Sequence, residues 1–103
     1  MPRREQLEAL LAEDPQDVFL NYALAMQLIG VGDSSGGMAR LERVMELDPN
    51  YVPAYFQCAQ AQALLGNTSR SLELLRKGID RARAAGDQHA VEEMGSLLAQ
   101  LSG

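Results

Sequence analysis

Gly32-Asp33-Ser34-Ser35 and Gly66-Asn67-Thr68-Ser69 repeat one pattern of turn residues 34 positions apart. In each, a glycine free to take a left-handed backbone can close one helix, and short polar side chains can open the next. Working outward at the same offset, Val18 meets Val52, Ala25 meets Ala59 and Leu41 meets Leu75. Similar residues fall between them: Tyr22 with Phe56, Met38 with Leu72, Arg43 with Lys77 and Met45 with Ile79. Turn residues match turn residues and apolar residues match apolar ones, as an internal repeat requires. One step earlier, Leu7, Leu10 and Leu11 register with Leu41, Val44 and Met45, and Asp14-Pro15 registers with Asp48-Pro49. The first helix therefore reads as the second half of a repeat whose first half is missing.

Stops near Pro15, Gly32, Pro49, Gly66 and Gly86 predict an all-α fold of five main helices in antiparallel register, because connections this short leave neighbouring helices no other arrangement. The expected partition is an N-terminal helix over 3–13, repeat one over 16–49, repeat two over 50–85 and a capping helix over 87–101, all in one domain. Leu7, Leu10 and Leu11 should face inward, as should Val18, Leu24, Ala25 and Leu28. The next stripes are Leu41, Val44 and Met45, then Leu72, Leu75 and Ile79. In the last helix Ala90, Val91, Met94, Leu97, Leu98 and Leu101 form one stripe, with Glu92, Glu93 and Gln100 outward. Ser34 or Ser35, Thr68 or Ser69, and Asp87 are the expected N-caps, and Pro53 suits a first helical turn. Gly36-Gly37 should weaken the start of its helix, by roughly 1 kcal/mol per Gly against Ala.

The bulk properties exclude more than they identify. A net charge of -5 opposes nonspecific nucleic-acid binding, which needs surplus Lys and Arg to displace counterions from phosphates. No apolar run approaches the ~20 residues that span a bilayer, and Met1-Pro2-Arg3-Arg4 leads into Glu5-Gln6-Leu7-Glu8 rather than an apolar signal core. The single cysteine, Cys58, allows no internal disulfide. A soluble cytoplasmic protein is the expectation. Cys58 and His89 are the only residues of their kinds, so an ordinary metal site would have to lean on carboxylates. Gly30-Val31-Gly32 lacks the further glycine and preceding strand of a phosphate loop. Glu92 and Glu93 are adjacent, hence about 100° apart on a helix, and cannot act as a catalytic pair. Arg76, Lys77, Arg81 and Arg83 read as a solvated basic face. No enzyme activity, cofactor or metal is expected.

A helix-turn-helix period of 34 resembles the tetratricopeptide repeat. With Val18 and Val52 as first positions, repeat one matches that pattern with Leu24, Ala25, Leu28, Gly37, Leu41 and Pro49. Repeat two matches it with Tyr55, Ala59, Ser71, Leu75 and Gly78. Leu47-Asp48-Pro49-Asn50-Tyr51 looks like the family's repeat junction. Asn21 departs from it where a bulky residue is usual, Val44 where a small one is usual, and Gln62 where a large apolar one is usual. Cys58 falls at a position the family buries.

The resemblance implies a non-catalytic module that holds a protein or peptide partner in a groove lined by the first helix of each repeat. Carried over by register, the lining would be Phe19, Tyr22, Ala23, Met26, Ile29 and Gly30, then Pro53, Phe56, Gln57, Gln60, Ala63 and Leu64. Phe19, Tyr22, Met26, Phe56, Gln57 and Gln60 are the candidate contact residues. The alternative is that a terminal helix covers them and makes them core. Some members of the family grip a terminal carboxylate with Lys, Arg and Asn at groove positions. Here those positions hold Tyr22, Met26, Phe56 and Gln60, which implies no such clamp and weak salt dependence. A second expectation is a self-assembling homodimer that uses the same face, since two repeats fall short of the usual three.

Overall fold

The computed structural model describes residues 3–103, which form six helices and no strand. They are α1 (Arg3–Glu13), α2 (Val18–Gly30), α3 (Ser34–Leu47), α4 (Val52–Leu64), α5 (Thr68–Ala85) and α6 (Gln88–Ser102). The five stops thus separate six helices rather than the five main ones expected. Met1 and Pro2, part of the reading of the chain's start, lie outside the described residues. The chain divides into two compact units, one ending at Pro49 and the other running from Asn50 to Gly103. In the first, α2 packs on α1 and α3; in the second, α5 packs on α4 and α6, and α6 also touches α4. Among the described residues no helix is long and apolar enough to cross a membrane.

The repeated turns are built alike. Gly32 and Gly66 take φ of 91° and 84°, a left-handed geometry that Gly adopts without steric cost. The amide after each glycine reaches back to the preceding helix: Asp33 N donates to Leu28 O at 2.8 Å, and Asn67 N donates to Gln62 O at 2.9 Å. The caps differ from those expected. Asp33, not Ser34 or Ser35, caps α3, its Oδ1 accepting from Gly36 N at 2.9 Å. Asn67, not Thr68 or Ser69, occupies the N-cap of α5 and makes no side-chain cap bond; its Nδ2 donates to Gln62 Oε1 at 2.8 Å. Helix α2 starts at Val18 because the Asp17 carboxylate accepts from Leu20 N at 2.8 Å. Asp87 caps α6 as expected, accepting from Ala90 N at 3.1 Å.

Leu7 and Leu11 of α1 form a buried cluster with Leu24 and Leu28 of α2, with Leu20 and Ala23 packed against it. Leu10, expected inward, is 49% exposed; α1 has only α2 to pack on, so its apolar stripe is narrow. Val18 and Met45 are half-buried. In the second unit Tyr55, Cys58, Ala59, Leu74, Leu75, Ile79 and Met94 are buried. Leu74 rather than Leu72 joins the core, because α5 is covered by helices on two sides. Of the α6 stripe only Met94 is fully buried; Ala90, Val91, Leu97, Leu98 and Leu101 are half-buried.

The departures from the repeat pattern have physical reasons. Tyr55 packs where α5 offers Gly78: a Cβ added there would lie 2.7 Å from Tyr55 Cβ. At the equivalent positions of the first unit stand Asn21 and Val44, both fully buried. The bulk has moved from one helix of the pair to the other, so two separate-looking exceptions are one compensated exchange. Asn21 has a further task. Its Nδ2 donates to Pro15 O at 3.0 Å and Asp17 O at 2.8 Å, and its Oδ1 accepts from Arg40 Nη1 at 3.2 Å. One amide therefore links the α1–α2 turn to α3. Gly36-Gly37 lies inside α3, and a Cβ on Gly37 would collide with Ile29 Cγ1 and lie 3.0 Å from Ala25 O. The equivalent Ser71 donates its hydroxyl to Ala59 O at 2.7 Å.

Candidate partner-binding surface

On α2, Phe19, Tyr22 and Met26 are spaced so that they share one helix face. Phe19 is 67% exposed, while Tyr22 and Met26 are half-buried. Ala23 and Ile29 are also half-buried and Gly30 is exposed. The second unit repeats this on α4: Phe56, Gln57 and Ala63 are half-buried, and Pro53, Gln60 and Leu64 are exposed, Leu64 at 88%. None of these residues is fully buried, although Ala23 packs against the α1–α2 cluster. The reason lies on the opposite faces. Leu24, Ala25 and Leu28 commit α2 to its neighbours, and Ala54, Tyr55, Cys58 and Ala59 commit α4 to its own.

Within the second unit, α6 stands beside this face of α4 and forms one wall of a cleft of ≈ 470 Å³. Phe56 and Gln60 come from α4; Glu92, Glu93, Leu97 and Gln100 come from α6. An adjoining cleft of ≈ 240 Å³ shares Phe56 and Glu93 and adds Gln57, Pro53, Val52 and Met94. The structure therefore brings Phe56, Gln57 and Gln60 together with Glu92, Glu93 and Gln100 of α6, which the helical stripe places outward. Glu92 and Glu93 are exposed, as expected, but they border the cleft. Their helical spacing from Leu97 carried the signal; which neighbour α6 leans toward did not show.

His89 is exposed, its Nε2 3.2 Å from Glu93 Oε1. Cys58 is fully buried, as its register position implied. Arg76, Lys77, Arg81 and Arg83 are exposed. Among the described residues no group of three or more His, Cys, Asp or Glu side chains is placed to hold a metal ion.

The fold of six helices agrees with known structures. The solved tetratricopeptide repeat domain protein from Salinibacter ruber is 30% identical, covers 85% of this chain and 89% of its own, and superposes with a TM-score of 0.80. This chain belongs to the tetratricopeptide repeat family. A TPR repeat-containing protein of Pseudomonas aeruginosa is 27% identical over 97 residues, which are 94% of this chain and 92% of the relative. PcrH, solved in complex with the chaperone binding region of PopD, shares the fold at a TM-score of 0.90, with 16% identity over 96% of this chain and 75% of its own. The TPR2B-domain:pHsp70 complex of yeast Sti1 shares it at 0.89, with 21% identity over 96% of this chain and 79% of that one. No protein-family model matches the chain. Within the tetratricopeptide repeat family, then, Asn21, Val44 and Gln62 are variations that the fold absorbs rather than signs of another fold.

Proposed function

We propose that this tetratricopeptide repeat chain is a non-catalytic interaction module, and that it holds a protein or peptide partner through the first helices of its repeats. The observation that carries the reading is the exposure of large apolar side chains at the lining positions of α2 and α4, with Phe19 at 67% and Phe56 half-buried beside an open cleft. Apolar groups left in water at corresponding places in two repeats gain most by being covered. The complexes formed by PcrH with PopD and by the Sti1 domain with pHsp70 support the same use of this fold. Phe19, Tyr22 and Met26 would contribute contacts from the first unit, and Phe56, Gln57 and Gln60 from the second. A lone, buried cysteine suits a cytoplasmic setting.

The test is the double variant Tyr22→Ala/Phe56→Ala of the full chain. It should keep most of its helicity by circular dichroism and lose its partner in pull-downs from the source organism analysed by mass spectrometry. Light scattering on the same samples separates the self-assembling reading: a stable dimer at low micromolar concentration that the double variant abolishes would make a second copy the partner. A variant that unfolds would place both rings in the core. A folded variant that still binds would move the site elsewhere, with the basic run around Arg76 and Lys77 the leading surface.

A further inference from the structure

Every Lys and Arg among the described residues lies on α1, α3 or α5; α2, α4 and α6 carry none. The separation matters most at the cleft between α4 and α6. Its floor is apolar, with Phe56 and Leu97, continued by Val52 and Met94. Its α6 wall carries Glu92 and Glu93, and Asp87 at the N-cap of α6 lines the adjoining cleft. Three of the five Lys and Arg side chains of this unit have other partners. Arg70 and Lys77 pair with Glu73 at 2.6 and 3.5 Å, and Arg81 donates to Asn50 at 3.3 Å. None of them, nor Arg76 or Arg83, lines either cleft. The only basic side chain there is His89, 3.2 Å from Glu93.

We infer that the α4–α6 cleft takes a cationic peptide segment, one whose Lys or Arg side chains flank an apolar anchor. This rests on the interaction-module reading and adds the chemistry of the partner. An anchor on Phe56 and Leu97 loses its water, as the floor does. Lysines or arginines on either side then reach the carboxylates of Glu92, Glu93 and Asp87, beside which no Lys or Arg lines the clefts. Gln60 and Gln100 each offer an amide that can donate to and accept from a peptide backbone. A segment rich in Asp, Glu or phosphate meets like charge and no cation to hold it. The carboxylates are exposed, so each contributes modestly and is screened by salt. This gives a salt dependence that the lining residues of α2 and α4 alone would not.

The test uses two fluorescein-labelled peptides of about 12 residues with the same Leu and Phe anchors, one carrying Lys and the other Glu at the remaining positions. Each is titrated against the full chain by fluorescence anisotropy. The Lys peptide should bind, more tightly than the Glu peptide, and weaken as salt is raised. E92Q/E93Q should weaken it by about three- to tenfold, the order expected for two exposed ion pairs. E42Q/E46Q removes the same charge from exposed positions on α3 and should leave the affinity unchanged. Phe56→Ala should weaken the Lys peptide whatever the salt. If E42Q/E46Q costs as much as E92Q/E93Q, only net charge is being sensed and the inference falls. If the Glu peptide binds as well in a Phe56-dependent way, the cationic preference is overturned while the module reading stands. If neither peptide binds, the inference is overturned alone when the pull-down partner remains sensitive to Tyr22→Ala/Phe56→Ala, and together with the module reading when it does not.

Discussion

At the scale of single residues, the energetics turn on where a methyl group fits. Gly78 and Gly95 both lie in helices, and propensity alone would favour Ala at either. Their surroundings reverse one of the two signs. A Cβ on Gly78 would lie 2.6 Å from Met94 Sδ, which can move aside, and 2.7 Å from Tyr55 Cβ, which is held by its own backbone. A Cβ on Gly95 meets nothing within 4 Å. Gly78→Ala should therefore destabilise by about 1–3 kcal/mol, the usual cost of overpacking. Gly95→Ala should stabilise by roughly 0.5–1 kcal/mol. Urea denaturation followed by circular dichroism measures both, and a stabilised Gly78→Ala would refute the packing described for Tyr55. Cys58 offers a direct check on register. Fully buried on α4, it should react slowly with a thiol reagent in the native chain and fast in denaturant; rapid native labelling would show α4 turned differently.

At the scale of helices, the ends are set by side chains that compete for partners. Asp17, Asp33 and Asp87 each accept a bond from the first turn of their helix, and replacing Asp17 with Ala should cost about 1 kcal/mol. Thr68→Ala and Ser69→Ala should change stability by less than about 0.5 kcal/mol, since neither residue is the cap of α5. Asn67→Ala should cost more than either, because it strands the amide oxygen of Gln62, a residue only 8% exposed. Thermal or urea unfolding of the three variants ranks them, and equal effects would contradict this assignment. The positions of the turns were readable from Gly32 and Gly66 because left-handed backbone is a local demand. The caps were not, because Ser34, Ser35, Thr68 and Ser69 are all plausible acceptors until the chain path shows which side chain sits beside the free amides. Gln62 departs from the family pattern for a related reason: its partner, Asn67, belongs to the next turn.

At the scale of the whole molecule, the unit formed by α4, α5 and α6 depends on its last helix. Met94 is fully buried, and α6 packs along α5. Truncation after Ala85 should cost at least ~2 kcal/mol, the order of one fully buried Met side chain. It should also promote self-association through the uncovered apolar surface of α5. Urea denaturation and light scattering test this together; a truncated monomer of unchanged stability would show that α6 is no cap.

The repeat period, the all-α class, the turn positions and the family were all contained in the order of the residues. Each rests on short-range chemistry: helical periodicity, glycine at left-handed turns, proline at helix starts and stops. The outward faces of α2 and α4 could be named from register alone, because a helix committed on one face to Leu24 and Leu28, or to Tyr55 and Cys58, must present the other. Which of two polar side chains caps a helix, why Asn21 and Val44 are tolerated together, and why Leu10 stays in water while Leu74 does not were decided by tertiary packing. So was the meeting of Phe56 and Gln60 with Glu92, Glu93 and Leu97. These residues are more than thirty positions apart in the chain, and no local periodicity encodes which flank of α4 the last helix will line.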